Sequence, residues 1–121
     1  MKEQMQNLIL KWYQAYDEKA DVEVFKGIVT EDFYFDCFPA PISGYKAFTE
    51  RQIASNAGML KSQHILNEIN IDEVKMKATI QLRWLAEFVN GDKPDFICEA
   101  TIDFSLDDGN LKFSKYKVVN C

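Results

Sequence analysis

The second half of the chain alternates between apolar and polar residues with the two-residue period of a β-strand. The even-numbered positions are apolar from Met76 to Phe88 and again from Phe96 to Leu106. Strands of this kind bury one face and expose the other. The alternation predicts an antiparallel hairpin across Asn90–Pro94, because every apolar pair then lies on one face. The predicted pairs are Phe88 with Phe96, Ala86 with Cys98, Trp84 with Ala100 and Leu82 with Ile102.

A final strand follows the turn residues Asp107-Asp108-Gly109-Asn110. From Leu111 to Val119 the apolar positions keep one parity only if an extra residue interrupts the period. The sequence therefore predicts a β-bulge near Ser114.

The first half has helical spacing. A first amphipathic helix is expected from about residue 2 to 19, and Asp21 can cap a second helix that continues through Ile28. An aromatic strand, Phe33–Phe38, ends at Pro39. Ser43-Gly44 begins a third helix, which ends near Gly58. We therefore expect a single α+β domain over residues 1–121, with three N-terminal helices packed in a strongly curved antiparallel sheet: a half-cone with a pocket.

The bulk properties exclude several classes of function. The net charge is −5, which argues against nucleic acid as a partner. No segment approaches the roughly 20 apolar residues that span a bilayer, and the N-terminal residues lack the apolar block of a signal peptide. Cys37, Cys98 and Cys121 are widely spaced and odd in number. These features predict a reduced, cytoplasmic protein without structural zinc.

Several short motifs in this order resemble the SnoaL-like branch of the nuclear transport factor 2-like superfamily, whose fold is cystatin-like. The resemblance covers nearly the whole chain and implies the half-cone with a pocket. The superfamily contains ketosteroid isomerase, polyketide cyclases and scytalone dehydratase, and also members without known catalysis, so the fold does not assign an activity. The motifs are Trp12-Tyr13, Asp21-Val22, Glu31-Asp32, Phe33-Tyr34-Phe35-Asp36 and Ser43-Gly44.

The resemblance to ketosteroid isomerase suggests three catalytic positions. That enzyme combines an Asp base with a Tyr and a protonated Asp as oxyanion donors. Its tyrosine matches Tyr13, its base position falls on Cys37 with Asp36 one residue earlier, and the motif around its acid resembles Ala100–Asp103. The missing base at Cys37 is a departure from the pattern.

Each of these positions also has a structural interpretation. Tyr13 is either an oxyanion donor or a core residue with one buried hydrogen bond. The parity of Asp103 groups it with outward residues, where Arg83 would lie diagonal to both Glu99 and Asp103 in a charge ladder. Asp103 would need a bulge to reach the pocket.

His64, Asp36 and Cys37 are the remaining candidates for proton transfer or nucleophilic chemistry. His64 is the only histidine, and its side chain can act as a general base near neutral pH. Its parity, however, is opposite to that of Ile65, Ile69 and Ile71. Asp36 is an activated base if desolvated and inert if exposed, and Cys37 is more typical of a small core hydrophobe than of a nucleophile.

The function predicted from these residues is cofactor-free proton transfer on a small hydrophobic, carbonyl-containing molecule, by isomerisation, dehydration or cyclisation. Tyr13, Asp36, His64 and Asp103 are the catalytic candidates. No metal or cofactor is expected, since one histidine and scattered carboxylates offer no ligand set. The alternative is a non-catalytic module that binds a hydrophobic ligand or dimerises. A homodimer through the outer sheet face is expected. The predicted pocket lining is Cys37, Phe38, Tyr45, Trp84, Phe88 and Phe96.

Overall fold

A computed structural model describes residues 1–121 as an α+β protein with one mixed sheet. Helix α1 is followed by a short 3₁₀ helix, strands β1 and β2, helix α2 and four long strands, β3 to β6. Their bounds are α1 Lys2–Asp17, the 3₁₀ helix Val22–Gly27, β1 Val29–Asp36, β2 Ile42–Ser43, α2 Tyr45–Gly58, β3 Met59–Asp72, β4 Lys77–Phe88, β5 Asp95–Asp107 and β6 Asn110–Val119.

The six strands are ordered β2-β1-β6-β5-β4-β3. All neighbours are antiparallel except β1 and β6, which are parallel. The last strand of the chain, β6, therefore pairs with the first, β1, which places the aromatic residues of β1 beside those of β6. No helix is long and apolar enough to cross a membrane.

The core is centred on Trp12 of α1. Its ring centroid lies 5.2–5.8 Å from those of Phe25, Phe33, Phe48 and Phe113. Such aromatic pairs stabilise a fold by about 0.5–1.5 kcal/mol each beyond the burial of their area. Trp12 therefore joins α1 to the 3₁₀ helix, α2 and two strands.

The expected α+β class is confirmed, but three helices and a strongly curved sheet are not. The second predicted helix is a single 3₁₀ segment of six residues. Asp21 caps it as expected, its carboxylate accepting from the Glu23 N–H at 2.9 Å. The valines disfavour a longer helix and Gly27 ends it, so only a short 3₁₀ segment forms.

The β4–β5 hairpin keeps the predicted inward face but not the predicted register. Phe96 pairs with Trp84 instead of Phe88, and Cys98 pairs with Leu82 instead of Ala86. The turn closes where the Gly91 N–H bonds the Phe88 carbonyl, so pairing is centred on residue 90 and not on residue 92. The shift of four residues preserves parity, which is why hydrophobic alternation could not reveal it.

The predicted charge ladder of Arg83 is wrong for the same reason. Arg83 instead forms two hydrogen bonds with Asp95, at 2.8 and 2.6 Å. Glu99 accepts from Gln81, and Asp103 lies 3.6 Å from Lys77.

The predicted bulge near Ser114 is confirmed. Asp103 pairs with Lys115 and Phe104 with Phe113, which leaves Ser114 as the extra residue. Its hydroxyl donates to the Asp103 carbonyl at 3.1 Å.

The cysteines depart from the expectation of three reduced thiols. Cys98 and Cys121 form a disulfide, with Cα atoms 5.4 Å apart, and Cys37 is free. Because Cys121 follows β6, the neighbour of β5, the pair is close in space although 23 residues separate it in sequence. Cysteine number alone could not reveal this pair.

Candidate functional site

A cavity of about 760 Å³ lies between the sheet, α1 and α2. Thirteen of its 21 lining residues are hydrophobic, so it suits an apolar small molecule. Of the predicted lining residues, Cys37, Phe38, Trp84, Phe88 and Phe96 line it. Tyr45 does not, because its hydroxyl turns away to the Val22 carbonyl at 3.3 Å.

His64 lines this cavity and forms a dyad with Asp17, the last residue of α1. The His64 Nδ1 lies 2.6 Å from the Asp17 Oδ1, and the His64 backbone N–H donates to Oδ2 at 2.8 Å. A carboxylate only accepts hydrogen bonds, so the His64 Nδ1–H donates to Asp17. The dyad thus presents to the cavity an imidazole whose orientation is held by a carboxylate.

A second β-bulge explains why His64 faces inward. Leu66 pairs with Leu82 and Glu68 pairs with Gln81, which leaves Asn67 as an extra residue in β3. Parity therefore changes at Asn67: His64 and Leu66 point inward before it, and Ile69 and Ile71 point inward after it. The sequence-based assignment of His64 to the outer face assumed an unbroken strand and is wrong.

Ser62 connects the dyad to the aromatic wall of the cavity. Its hydroxyl donates to the Asp17 Oδ1 at 3.1 Å and accepts from the Trp84 indole N–H at 3.2 Å. The Trp84 ring stacks near-parallel to Phe96, with 19° between planes. One buried serine therefore orients both a carboxylate and a wall residue.

Three tyrosines lie beside the dyad. The Tyr13 hydroxyl is 3.0 Å from that of Tyr116, and only Tyr116 and Tyr16 line the cavity. Burial raises the pKa of all three phenols, so they stay protonated near neutral pH. The Tyr16 hydroxyl is buried without any hydrogen-bond partner. Tyr13 does not line the cavity but contacts Tyr116, which does, so it supports the cavity wall from behind.

Asp36, the last residue of β1, and Cys37, which follows it, differ in whether they line the cavity. Phe33 and Phe35 are buried, and Asp36, one position later, points to the opposite face, away from the cavity lining. Cys37 lines the cavity. Burial raises the pKa of its thiol, which the Arg51 guanidinium partly opposes. A thiol with a raised pKa is a poor nucleophile.

Asp103 also lies outside the cavity lining. It is on the outer face of β5, opposite Lys77. The bulge that its entry into the cavity would need occurs on β6, at Ser114, and not on β5. The structure therefore brings His64 and Tyr13 together and leaves Asp36 and Asp103 apart from them.

Sequence reasoning missed Asp17, Arg51 and Tyr116. Asp17 follows Tyr13 by four residues, so one helical face carries both, and this spacing was the available signal. Arg51 and Tyr116 gave no local signal. No group of three or more His, Cys, Asp or Glu side chains is placed to hold a metal ion.

A mixed sheet with helices on one face, an apolar cavity and an inward His–Asp dyad define an α+β protein with an apolar pocket. Residues 1–117 match the family model described as a SnoaL-like domain, and the chain belongs to this family. The sequence matches none of the curated proteins.

Solved structures with this fold have diverse descriptions. One is a type 2 hexachlorocyclohexane dehydrochlorinase, LinA, with TM-score 0.84, 14% identity, and coverage of 98% of this chain and 84% of that one. Another, from Caulobacter vibrioides, is described as uncharacterised with a cystatin-like fold (TM-score 0.79, 17% identity, 98% and 89% coverage). A third, from Catenulispora acidiphila, has a ketosteroid isomerase-like fold and is in complex with trimethylamine (TM-score 0.76, 8% identity, 92% and 82% coverage). At these identities the likeness shows the fold alone.

Proposed function

We propose that the protein is a cofactor-free proton-transfer enzyme acting on a small hydrophobic, carbonyl-containing molecule, of the isomerase, dehydratase or cyclase type. One observation carries the proposal: His64 lines an apolar cavity, and its Nδ1 lies 2.6 Å from the Asp17 carboxylate. An imidazole that a carboxylate holds in one orientation, in the wall of an apolar cavity, can act as a general base in its neutral form.

In the proposed reaction, the His64 Nε2 removes a proton from a carbon of the bound molecule. Asp17 stabilises the imidazolium that forms, without itself taking the proton. The electron pair of the broken C–H bond moves into the substrate. It either expels a leaving group, which gives elimination, or delocalises onto a carbonyl oxygen until the proton returns at another carbon, which gives isomerisation.

The developing oxyanion would be stabilised by the tyrosine pair. Tyr116 lines the cavity, and Tyr13 lies 3.0 Å behind it. If the Tyr13 hydroxyl donates to that of Tyr116, the Tyr116 proton is free to donate to a substrate oxygen. The hydrogen bond from Tyr13 then makes Tyr116 a stronger hydrogen-bond donor. Tyr13 keeps its proposed role in this arrangement, but it acts through Tyr116.

The name of one structural neighbour supports an elimination. A hexachlorocyclohexane dehydrochlorinase removes hydrogen chloride from a small apolar ring, and loss of a proton from carbon is also the first step proposed for this chain.

The proposal is tested with two substrates, hexachlorocyclohexane for chloride release and a cyclic β,γ-unsaturated ketone for formation of the conjugated enone. We expect turnover of at least one of them. Replacement of the base or its orienting group, in H64Q and D17N, should lower the rate about 100-fold or more. D103N is the matched control and should keep the wild-type rate. Equal rates for H64Q and wild type would disprove the role of His64.

The alternative is a non-catalytic module that binds a hydrophobic ligand. It is supported by Cys37 at the position where ketosteroid isomerase has its base, and by Asp36 and Asp103 lying outside the cavity lining. Tight binding of an apolar ligand, with no turnover of any enolisable or halogenated compound, would favour this alternative.

We also propose a homodimer through the outer face of the sheet. Ile97 is 72% exposed on that face and Val89 is 64% exposed in the adjacent turn, a combination that a second copy could cover. Native mass spectrometry of the wild type should show a dimer, and I97E should shift it toward the monomer. A wild-type monomer at micromolar concentration would contradict this.

A further inference from the structure

A second functional group lines the same cavity as His64: the guanidinium of Arg51, in helix α2. Its Nη1 donates to the Ala40 carbonyl at 2.6 Å. Its Nη2 donates to the carbonyls of Cys37, at 2.9 Å, and Phe38. Arg51 thereby holds the loop between β1 and β2 against α2.

The charge of Arg51 is not neutralised by any side chain. Arg51 takes part in none of the salt bridges of the chain. A guanidinium has five N–H donors, and three of them are used by the loop carbonyls, which leaves the Nε–H and one Nη1–H without an acceptor. A partly buried cation with free donors normally has an anionic partner.

Arg51 is a cation in the cavity wall of an acidic protein. The whole chain carries a net charge of −5. Two basic side chains line the cavity, Arg51 and Lys93, and Lys93 lies next to Asp92. The carboxylate of Asp17, behind the lining, is held by His64 and Ser62. Arg51 also acts on the interior, because its charge opposes the rise in the pKa of Cys37 caused by burial. An unpaired guanidinium in the wall of a largely apolar cavity favours an anionic group beside it.

We propose that the molecule bound in this cavity carries an anionic group, of the organic carboxylate class, which binds Arg51 while its apolar body contacts Trp84, Phe88 and Phe96. This proposal rests on the proposed function in one respect: the molecule bound at Arg51 is taken to be the one that lies beside His64. It narrows the substrate class from small hydrophobic molecules to hydrophobic acids.

The test compares 2-naphthoate with 2-naphthamide, which share shape and apolar area but differ in charge. Their affinities are measured by isothermal titration calorimetry at pH 7.5. We expect the wild type to bind naphthoate at least 10-fold more tightly. R51Q should reduce this preference to less than 2-fold, since the charge is lost. K46Q, an equal change of net charge on an exposed residue of α2, should keep the preference.

R51K distinguishes ligand binding from support of the loop. Lysine keeps the charge but lacks the planar fork that donates to three carbonyls. If Arg51 binds an anion, R51K retains most of the preference for naphthoate. If Arg51 only supports the loop, R51K and R51Q lose affinity for both probes alike, and the proposal is overturned.

Two other outcomes would also overturn it: wild-type affinities that are equal for the two probes, and no binding of naphthoate at millimolar concentration. H64Q separates this proposal from the proposed function, because it should abolish turnover while keeping the preference for naphthoate. Retained turnover in H64Q with a clear naphthoate preference would instead refute only the catalytic role of His64.

Discussion

At the scale of single residues, the site depends on which polar atoms have partners. Asp17 accepts from the His64 ring, the His64 backbone and Ser62, so its carboxylate is nearly saturated with donors. The hydroxyl of Tyr16 has no partner at all. A satisfied carboxylate orients a base, whereas an unsatisfied buried hydroxyl destabilises the fold by about 1–3 kcal/mol.

Replacing Tyr16 by Phe tests this difference. Y16F removes a desolvated donor but keeps the ring, so we expect stability to be unchanged or higher by about 1 kcal/mol. Y116F is the matched control: it leaves the Tyr13 hydroxyl without its partner and should lower stability by about 1–3 kcal/mol. Urea unfolding measures both, and a loss above 1 kcal/mol in Y16F would show that its hydroxyl has a partner.

At the scale of elements, the bulges in β3 and β6 decide which side chains reach the interior. Asn67 reverses the parity of β3 between His64 and Ile69, and Ser114 does the same in β6 before Tyr116. The bulge at Ser114 was predictable because apolar residues with conflicting parity flank it. In β3 the exposed Ile65 suggested a continuous apolar face and concealed the bulge.

Deleting Asn67 should therefore be much more harmful than replacing it. Without the extra residue, either His64 and Leu66 or Ile69 and Ile71 must turn to the solvent face. We expect a loss of about 3 kcal/mol or more, comparable to removal of a large core side chain. N67A, at an exposed position, should change stability by less than about 0.5 kcal/mol. Equal unfolding midpoints for the deletion and N67A would contradict the register described here.

The disulfide joins β5 to the segment after β6. It closes a loop with a sequence separation of 23, for which chain entropy predicts a stabilisation of up to about 3 kcal/mol. C121S should lower the free energy of unfolding under oxidising conditions, and C37S should not, since Cys37 is free. If adding a reductant leaves the wild-type unfolding midpoint unchanged, the disulfide does not contribute to stability.

At the scale of the whole molecule, the buried phenols link stability to pH. Burial raises the pKa of Tyr13, Tyr16 and Tyr116 above the ordinary value of 10.0. Below pH 10 both folded and unfolded chains keep these protons. Above it the unfolded chain releases protons that the folded chain retains, so stability falls as pH rises.

We therefore expect alkaline unfolding that begins above about pH 10, with a slope of up to about 4 kcal/mol per pH unit from the three phenols. The measurement is chemical unfolding at several pH values, together with tyrosinate absorbance at 295 nm. The double variant Y13F/Y116F should show a shallower slope. Free ionisation of all tyrosines without loss of structure would show that the phenols are accessible.

The α+β class and the inward faces of β4, β5 and β6 followed from sequence because hydrophobic period is a local property. The register of the β4–β5 hairpin did not, since a shift of four residues keeps the same apolar face. Five of the six side chains predicted to line the cavity are among its 21 lining residues. Tyr45 is not among them, because its hydroxyl donates to a backbone carbonyl.

The sequence by itself determined that this chain forms an α+β domain with a buried aromatic face and a bulge at Ser114. Those properties depend on residue type and spacing within one element. The tertiary structure alone decided that Asp17 contacts His64, that Arg51 lines the same cavity and that Cys98 bonds to Cys121. Asp17 and His64 are 47 positions apart in sequence, and Cys98 and Cys121 are 23 apart, so these contacts depend on how strands and helices pack.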